Sequence, residues 1–114
     1  MPCIQTKVNV PLSAEQKEVL KTELGKAINL IPGKSENWLM LTFEDNCSIY
    51  FQGNGEIPAA FVEVKIYGKT NSEVYQKMTV AITDIFNQHL QIEPSRIYIR
   101  YEETAYWGWN GNNF

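Results

Sequence analysis

Apolar and polar residues alternate along Cys3–Val10, with Ile4, Val8 and Val10 on one face and Thr6 as its polar exception. A period of two predicts a β-strand, which Pro11 closes. Ser13-Ala14-Glu15-Gln16 then fits a capping box, in which the Ser13 hydroxyl accepts from a free backbone N–H and Gln16 reaches back. Val19, Leu20, Leu24, Ala27, Ile28 and Ile31 follow at helical spacing and make one apolar stripe, ended by Pro32-Gly33. Trp38–Phe43 is apolar at odd and even positions, the pattern of a strand covered on both faces. Glu44-Asp45-Asn46 reads as a turn, Cys47–Phe51 as a short strand and Gln52-Gly53-Asn54-Gly55 as a loop.

The plan then repeats. Ala59–Tyr67 is a strand with Ala60, Val62, Val64 and Ile66 on one face, and Thr70-Asn71-Ser72-Glu73 is a second capping box. Val74, Met78, Ala81, Ile82, Ile85, Phe86 and Leu90 form a second stripe, Pro94 lies past its end, and Ile97–Glu102 is the matching strand. Leu20, Leu24, Ala27 and Ile28 precede Met78, Ile82, Ile85 and Phe86 by about 58 positions. The expected architecture is α+β: a single domain, 1–114, of two pseudo-symmetric βαβ halves, roughly 2–57 and 58–114. Right-handed crossovers would give each half two parallel strands, and the halves together one four-stranded mixed sheet with both helices on one face. The other face is left bare. Its expected inventory is either Trp38/Met40 or Leu39/Leu41/Phe43, with Phe61, Tyr67 and Tyr98, and a partly apolar bare face predicts oligomerisation.

Composition excludes several classes. A net charge of −3 on 114 residues argues against nucleic acid and anionic membrane as partners. No apolar run reaches membrane-spanning length. The N-terminus lacks the basic-then-apolar pattern of a signal peptide, so the expected location is cytoplasmic, with any export by a route needing no signal peptide. One histidine, His89, and two scattered cysteines, Cys3 and Cys47, predict no metal, no cofactor and reduced thiols.

The chemistry points to the start of the chain. Pro2 follows Met1, and a small second residue favours removal of the initiator. Pro2 then carries a free secondary amine, ring-locked and mounted on the end of a strand. An α-amine starts near a pKa of about 7.7–8.0. Burial and neighbouring cations would lower it toward what a general base at neutral pH requires. At the other end, Tyr106-Trp107-Gly108-Trp109-Asn110-Gly111-Asn112-Asn113-Phe114 sets aromatics around a hairpin-turn signal, Asn110-Gly111, fit for packing or for lining a pocket.

Met1-Pro2, Asn9-Val10-Pro11, Pro32-Gly33-Lys34, Gly68-Lys69, Pro94-Ser95-Arg96-Ile97-Tyr98-Ile99 and Gly108-Trp109-Asn110 occur in an order and at distances that resemble the macrophage migration inhibitory factor and D-dopachrome tautomerase family of the tautomerase superfamily. The resemblance implies a homotrimer whose subunits cover the bare sheet faces, with active sites between subunits. It places Pro2 at the catalytic base and Lys34 at a lysine that holds the substrate carboxylate. Tyr67 stands where an Ile is common, with its backbone N–H offered to substrate. Tyr98 matches a tyrosine from the neighbouring subunit, and Trp107, Trp109 and Phe114 match the hydrophobic mouth. The implied activity is keto–enol tautomerisation of phenylpyruvate-like α-keto acids. Arg100 replaces an Asn of the mammalian proteins and suggests a more acidic substrate, with isomerisation of dicarboxylic muconate-type intermediates as one alternative. A cytokine-type trimer with vestigial catalysis, directed at a protein receptor, is the other. Ala59 and Val62 stand in place of a Cys-x-x-Cys, so a thiol–disulfide activity is not expected.

Overall fold

The computed structural model describes all residues, 1–114. Strand β1 (Pro2–Val8) leads to helix α1 (Ala14–Ala27) and strand β2 (Met40–Glu44). Strand β3 (Ala60–Tyr67) leads to helix α2 (Ser72–Leu90) and strand β4 (Ile97–Thr104), and a hairpin of β5 (Gly108–Trp109) and β6 (Asn112–Asn113) closes the chain. The sheet order is β2-β1-β3-β4. β1 and β2 are parallel, β3 and β4 are parallel, and the halves meet antiparallel along β1 and β3, with Pro2 opposite Ile66 and Ile4 opposite Val64. The expected mixed sheet and two-half topology are both present.

The helices form because their ends are satisfied and their stripes are buried. Ser13 Oγ accepts from Gln16 N–H at 3.0 Å while Ser13 N–H donates to Gln16 Oε1 at 2.9 Å. The second start differs from the capping box expected at Thr70-Asn71-Ser72-Glu73. Asn71 is the cap and accepts from Val74 N–H at 3.0 Å. Thr70 N–H instead donates to Glu103 at the end of β4. Leu20, Leu24, Ile28, Met78, Ile82 and Phe86 have no exposed surface and pack on Ile4, Val8, Val62, Val64 and Ile66 of the sheet. Burial of this kind is the main stabilising term, at about 1.5–3 kcal/mol for each large side chain. No helix is long and apolar enough to cross a membrane.

Thr6 lies in the middle of that core, and its hydroxyl has no hydrogen-bond partner. An unpaired buried hydroxyl costs about 1–3 kcal/mol. Thr6→Val keeps the shape and removes the penalty, so the denaturation midpoint should rise by the equivalent of about 1 kcal/mol. A lowered midpoint would show that the hydroxyl has a partner.

Three expectations are corrected. Trp38 is not the first strand residue. Glu36–Trp38 is a 3-10 turn in which Leu39 N–H donates to the Glu36 carbonyl, and β2 begins at Met40. Trp38 is thereby turned away from the sheet. β2 is not covered on both faces either: Leu41 and Phe43 pack on the core, whereas Met40 is 65% exposed. Finally, Cys47–Phe51 is not a strand. Beyond one bond from Cys47 N–H to the Val8 carbonyl it forms no ladder with the sheet, and its one bridge is Phe51 with Asn54.

The bare face is also less apolar than expected. Met40, Phe61, Tyr67 and Tyr98 lie on it, interspersed with Lys7, Glu44, Glu63, Lys65, Arg100 and Glu102. The alternation is legible because every second residue of each strand belongs to the core.

Candidate active site

Pro2 begins β1, an inner strand, and is buried between β2 and β3. Its backbone is placed by pairing with Ile66 of β3, and the adjacent Cys3 pairs with both Lys65 of β3 and Met40 of β2. The chain before it emerges into a cleft of about 820 Å³ lined by Met1, Pro2, Cys3 and Gln5 of the first segment, Asn37 to Met40, Lys65, and Trp107 to Trp109. The Tyr67 N–H donates to the Met1 carbonyl at 3.0 Å. Lys34 Nζ donates to the Tyr67 carbonyl at 2.8 Å. A left-handed Gly33 (φ 80°) turns the chain after α1 toward that contact, a conformation that glycine adopts at little steric cost.

The aromatic tail forms the wall. Asn110 and Gly111, with φ of 53° and 80°, make the hairpin turn between β5 and β6, as a two-residue turn with both central residues left-handed requires. The turn carries Trp109 against Trp38, edge-on at 5.0 Å between ring centroids, and parallel to Phe114 at 6.4 Å. Phe114 in turn lies 5.5 Å from the Tyr67 ring, and its N–H donates to the Trp107 carbonyl. Trp38 is a cleft residue that the sequence pattern misassigned: its apolarity signalled a buried strand, and only the 3-10 turn sends it here.

The electrostatics favour a neutral amine. The α-amine of Met1 is lowered from 8.0 to about 6, first by burial, then by the charge of Lys34 and by its hydrogen bond with Lys34. The Cys3 thiol is pushed up by burial, against a smaller opposing pull from Lys65.

Pro2, Lys34, Tyr67, Trp107, Trp109 and Phe114 are thus brought together at one end of the sheet. Tyr98 and Arg100 are not. Tyr98 lies on β4 opposite Phe61, which pairs with Lys7, five residues along β1 from Pro2. At about 3.3 Å per residue that is roughly 16 Å along the strands, and β4 lies two strands across from β1 as well. Its ring meets Phe51 edge-on at 5.0 Å. Arg100 Nη1 donates to Glu63 Oε2 and Glu102 Oε1, both at 3.2 Å, so its charge is already matched by two carboxylates of the same chain.

A further residue without an expected role is Arg96, which is buried. Its guanidinium donates to the carbonyls of Phe51, Asn54, Ile57 and Pro58 at 3.0–3.1 Å and lies over the Phe51 ring. It holds the irregular segment before β3, and with it the ring against which Tyr98 packs.

The sequence model of the family described as macrophage migration inhibitory factor (MIF) matches residues 1–114. Macrophage migration inhibitory factor of Meriones unguiculatus is 27% identical over 116 aligned positions, covering 100% of this chain and 99% of the relative. The structure of Leishmania major MIF2 superposes with a TM-score of 0.93 at 35% identity, covering 100% of this chain and 97% of that one. The Prochlorococcus marinus homologue superposes with a TM-score of 0.83 at 30% identity, covering 98% of each chain. Over its whole length, the chain belongs to the macrophage migration inhibitory factor family.

Proposed function

We propose that the protein is a keto–enol tautomerase of phenylpyruvate-like α-keto acids, working as a homotrimer with Pro2 as general base once Met1 is removed. The observation that supports this reading most is the place of the N-terminus. It lies at the floor of an aromatic cleft, beside Lys34, where an amine is held near pKa 6. Removal of Met1 does two things at once. It turns the Pro2 nitrogen from an amide into a basic amine, and it releases the Tyr67 N–H from the Met1 carbonyl. A base and a hydrogen-bond donor then face the same space.

Pro2 takes a proton from the carbon next to the substrate carbonyl. The electron pair of that C–H bond becomes the enolate C=C bond, and the carbonyl oxygen takes up the charge. The same prolinium returns its proton to oxygen or carbon, so no co-reactant is consumed. Lys34 holds the carboxylate, the Tyr67 N–H steadies the developing charge, and Trp107, Trp109 and Phe114 pack the ring. Trimerisation would bring Tyr98 and Arg100 of a neighbouring copy toward a cleft that their own strand does not reach.

The test is turnover of phenylpyruvate by protein whose N-terminus has been confirmed by mass spectrometry, followed across pH. The amine works only when unprotonated, so kcat/KM should fall below an acid limb at or below neutrality. Lys34 disfavours the charged amine. Lys34→Met should therefore raise the amine pKa and move the limb to higher pH, in addition to raising KM. A limb that stays in place removes Lys34 from the environment of the base, and absence of turnover by processed trimer rejects the tautomerase in favour of an interaction protein.

A further inference from the structure

The cleft contains a cation that the reading above leaves unused. Lys65 is half-buried on the open face of β3, lines the same cavity as Pro2, Trp38 and Trp109, and lies opposite Cys3 in the sheet register. Two carboxylates are its natural partners: Glu63, two residues earlier on the same face, and Glu102, directly opposite on β4. Both are taken by Arg100. Lys7, the remaining cation of that face, is paired with Glu44 at 3.9 Å. Lys65 alone among the open-face cations has no ion pair and no hydrogen bond to the protein. Arg100 thus acts on the cleft indirectly, by claiming the acids that would otherwise neutralise Lys65.

From this juxtaposition we infer that Lys65 is a second anion-recognition residue of the cleft, and that the preferred substrate carries a second acidic group besides the carboxylate held by Lys34. The inference rests on the α-keto acid reading of the site and narrows its substrate class to dianionic keto acids. Lys34 approaches Pro2 from the segment after α1, whereas Lys65 rises from the sheet's open face, so the two ammonium groups address different ends of a ligand lying across Pro2. Trp38, Trp107 and Trp109 line the cavity beside Lys65. An ammonium facing a carboxylate there is screened less than at a free surface, and the contact is a charge-assisted hydrogen bond. The second carboxylate, assigned from sequence to Arg100, belongs on this argument to Lys65.

The experiment compares equilibrium binding of 4-carboxycinnamate and cinnamate, neither of which can enolise, to processed protein at low salt. The dianion should bind about tenfold more tightly, as expected for one partly exposed charge-assisted bond. Lys65→Met should reduce that preference to within about twofold, whereas Lys65→Arg should keep it. Raising the salt concentration should shrink the preference. Equal binding of the two acids by the wild type, or a preference that survives Lys65→Met, overturns the inference. The underlying reading fails differently. A Lys65-dependent binding preference without phenylpyruvate turnover sinks the tautomerase and retains the anion site, and turnover without the preference does the reverse.

Discussion

Replacing Pro2 with glycine is expected to lower kcat/KM for phenylpyruvate by at least about a hundredfold, within the range attributed to a positioned general base. That corresponds to about 2.7 kcal/mol of transition-state stabilisation. Glycine at the second position also allows removal of Met1, so the variant still presents an amine. It loses the ring that fixes the nitrogen at the end of β1. The amine of glycine is primary and swings freely, and the entropy of aiming it must be met in every turnover. Protein retaining Met1 should be at least as impaired, for two separate reasons. The Pro2 nitrogen is then an amide, and the Met1 carbonyl occupies the Tyr67 N–H. Unfolding transitions measured alongside should agree with the wild type, since the Pro2 ring is a small part of the core. Activity of Pro2→Gly within about threefold of wild type would remove the base from this residue.

The second large effect concerns stability. Arg96→Met should destabilise the fold by about 3 kcal/mol, on the order of 12 °C in Tm at fixed protein concentration. The guanidinium satisfies four carbonyls of a segment that has almost no regular structure of its own. Each bond to a charged donor contributes about 1.5–3 kcal/mol, and relaxation of the loop toward water returns part of the loss. Arg96→Lys should recover less than half, because a point donor cannot span four carbonyls fixed around a planar fork. A shift below about 0.5 kcal/mol for Arg96→Met would mean that the loop holds itself.

These two residues mark what could and could not be read from the chain. Local patterns were legible. Strand alternation around Ile4 and Val64, the Ser13–Gln16 cap and the Asn110-Gly111 turn each depend on neighbours within a few positions. Their consequence, an N-terminal nitrogen at the end of an inner strand, followed from the two-half topology. Long-range partners were not legible. Arg96 looked like any arginine near a strand, because its acceptors lie 38 to 45 positions away. The unpaired state of Lys65 depends on how Arg100 shares its donor between two strands. Cys47–Phe51 carried strand-forming residues, yet only its first N–H reaches the sheet, at the Val8 carbonyl, and composition does not show which partner a segment will meet. Arg100 was read as suggesting a more acidic substrate because sequence shows charge without showing Glu63 and Glu102 beside it.

The sheet has two related corners, one where β1 begins and one where β3 begins. A proline stands at each: Pro2 opens β1, and Pro58 sits just ahead of Ala60. Pro2 is the first residue of its strand whereas Pro58 precedes its strand by two residues, and their nitrogens differ in kind. That of Pro58 is locked into a peptide link whose lone pair is delocalised, and its carbonyl is anchored by Arg96. That of Pro2 becomes a Lewis base on loss of a single residue. Repeating such a unit copies the scaffold and not a free chain end, so on the proposed mechanism only the corner at Pro2 can hold a base.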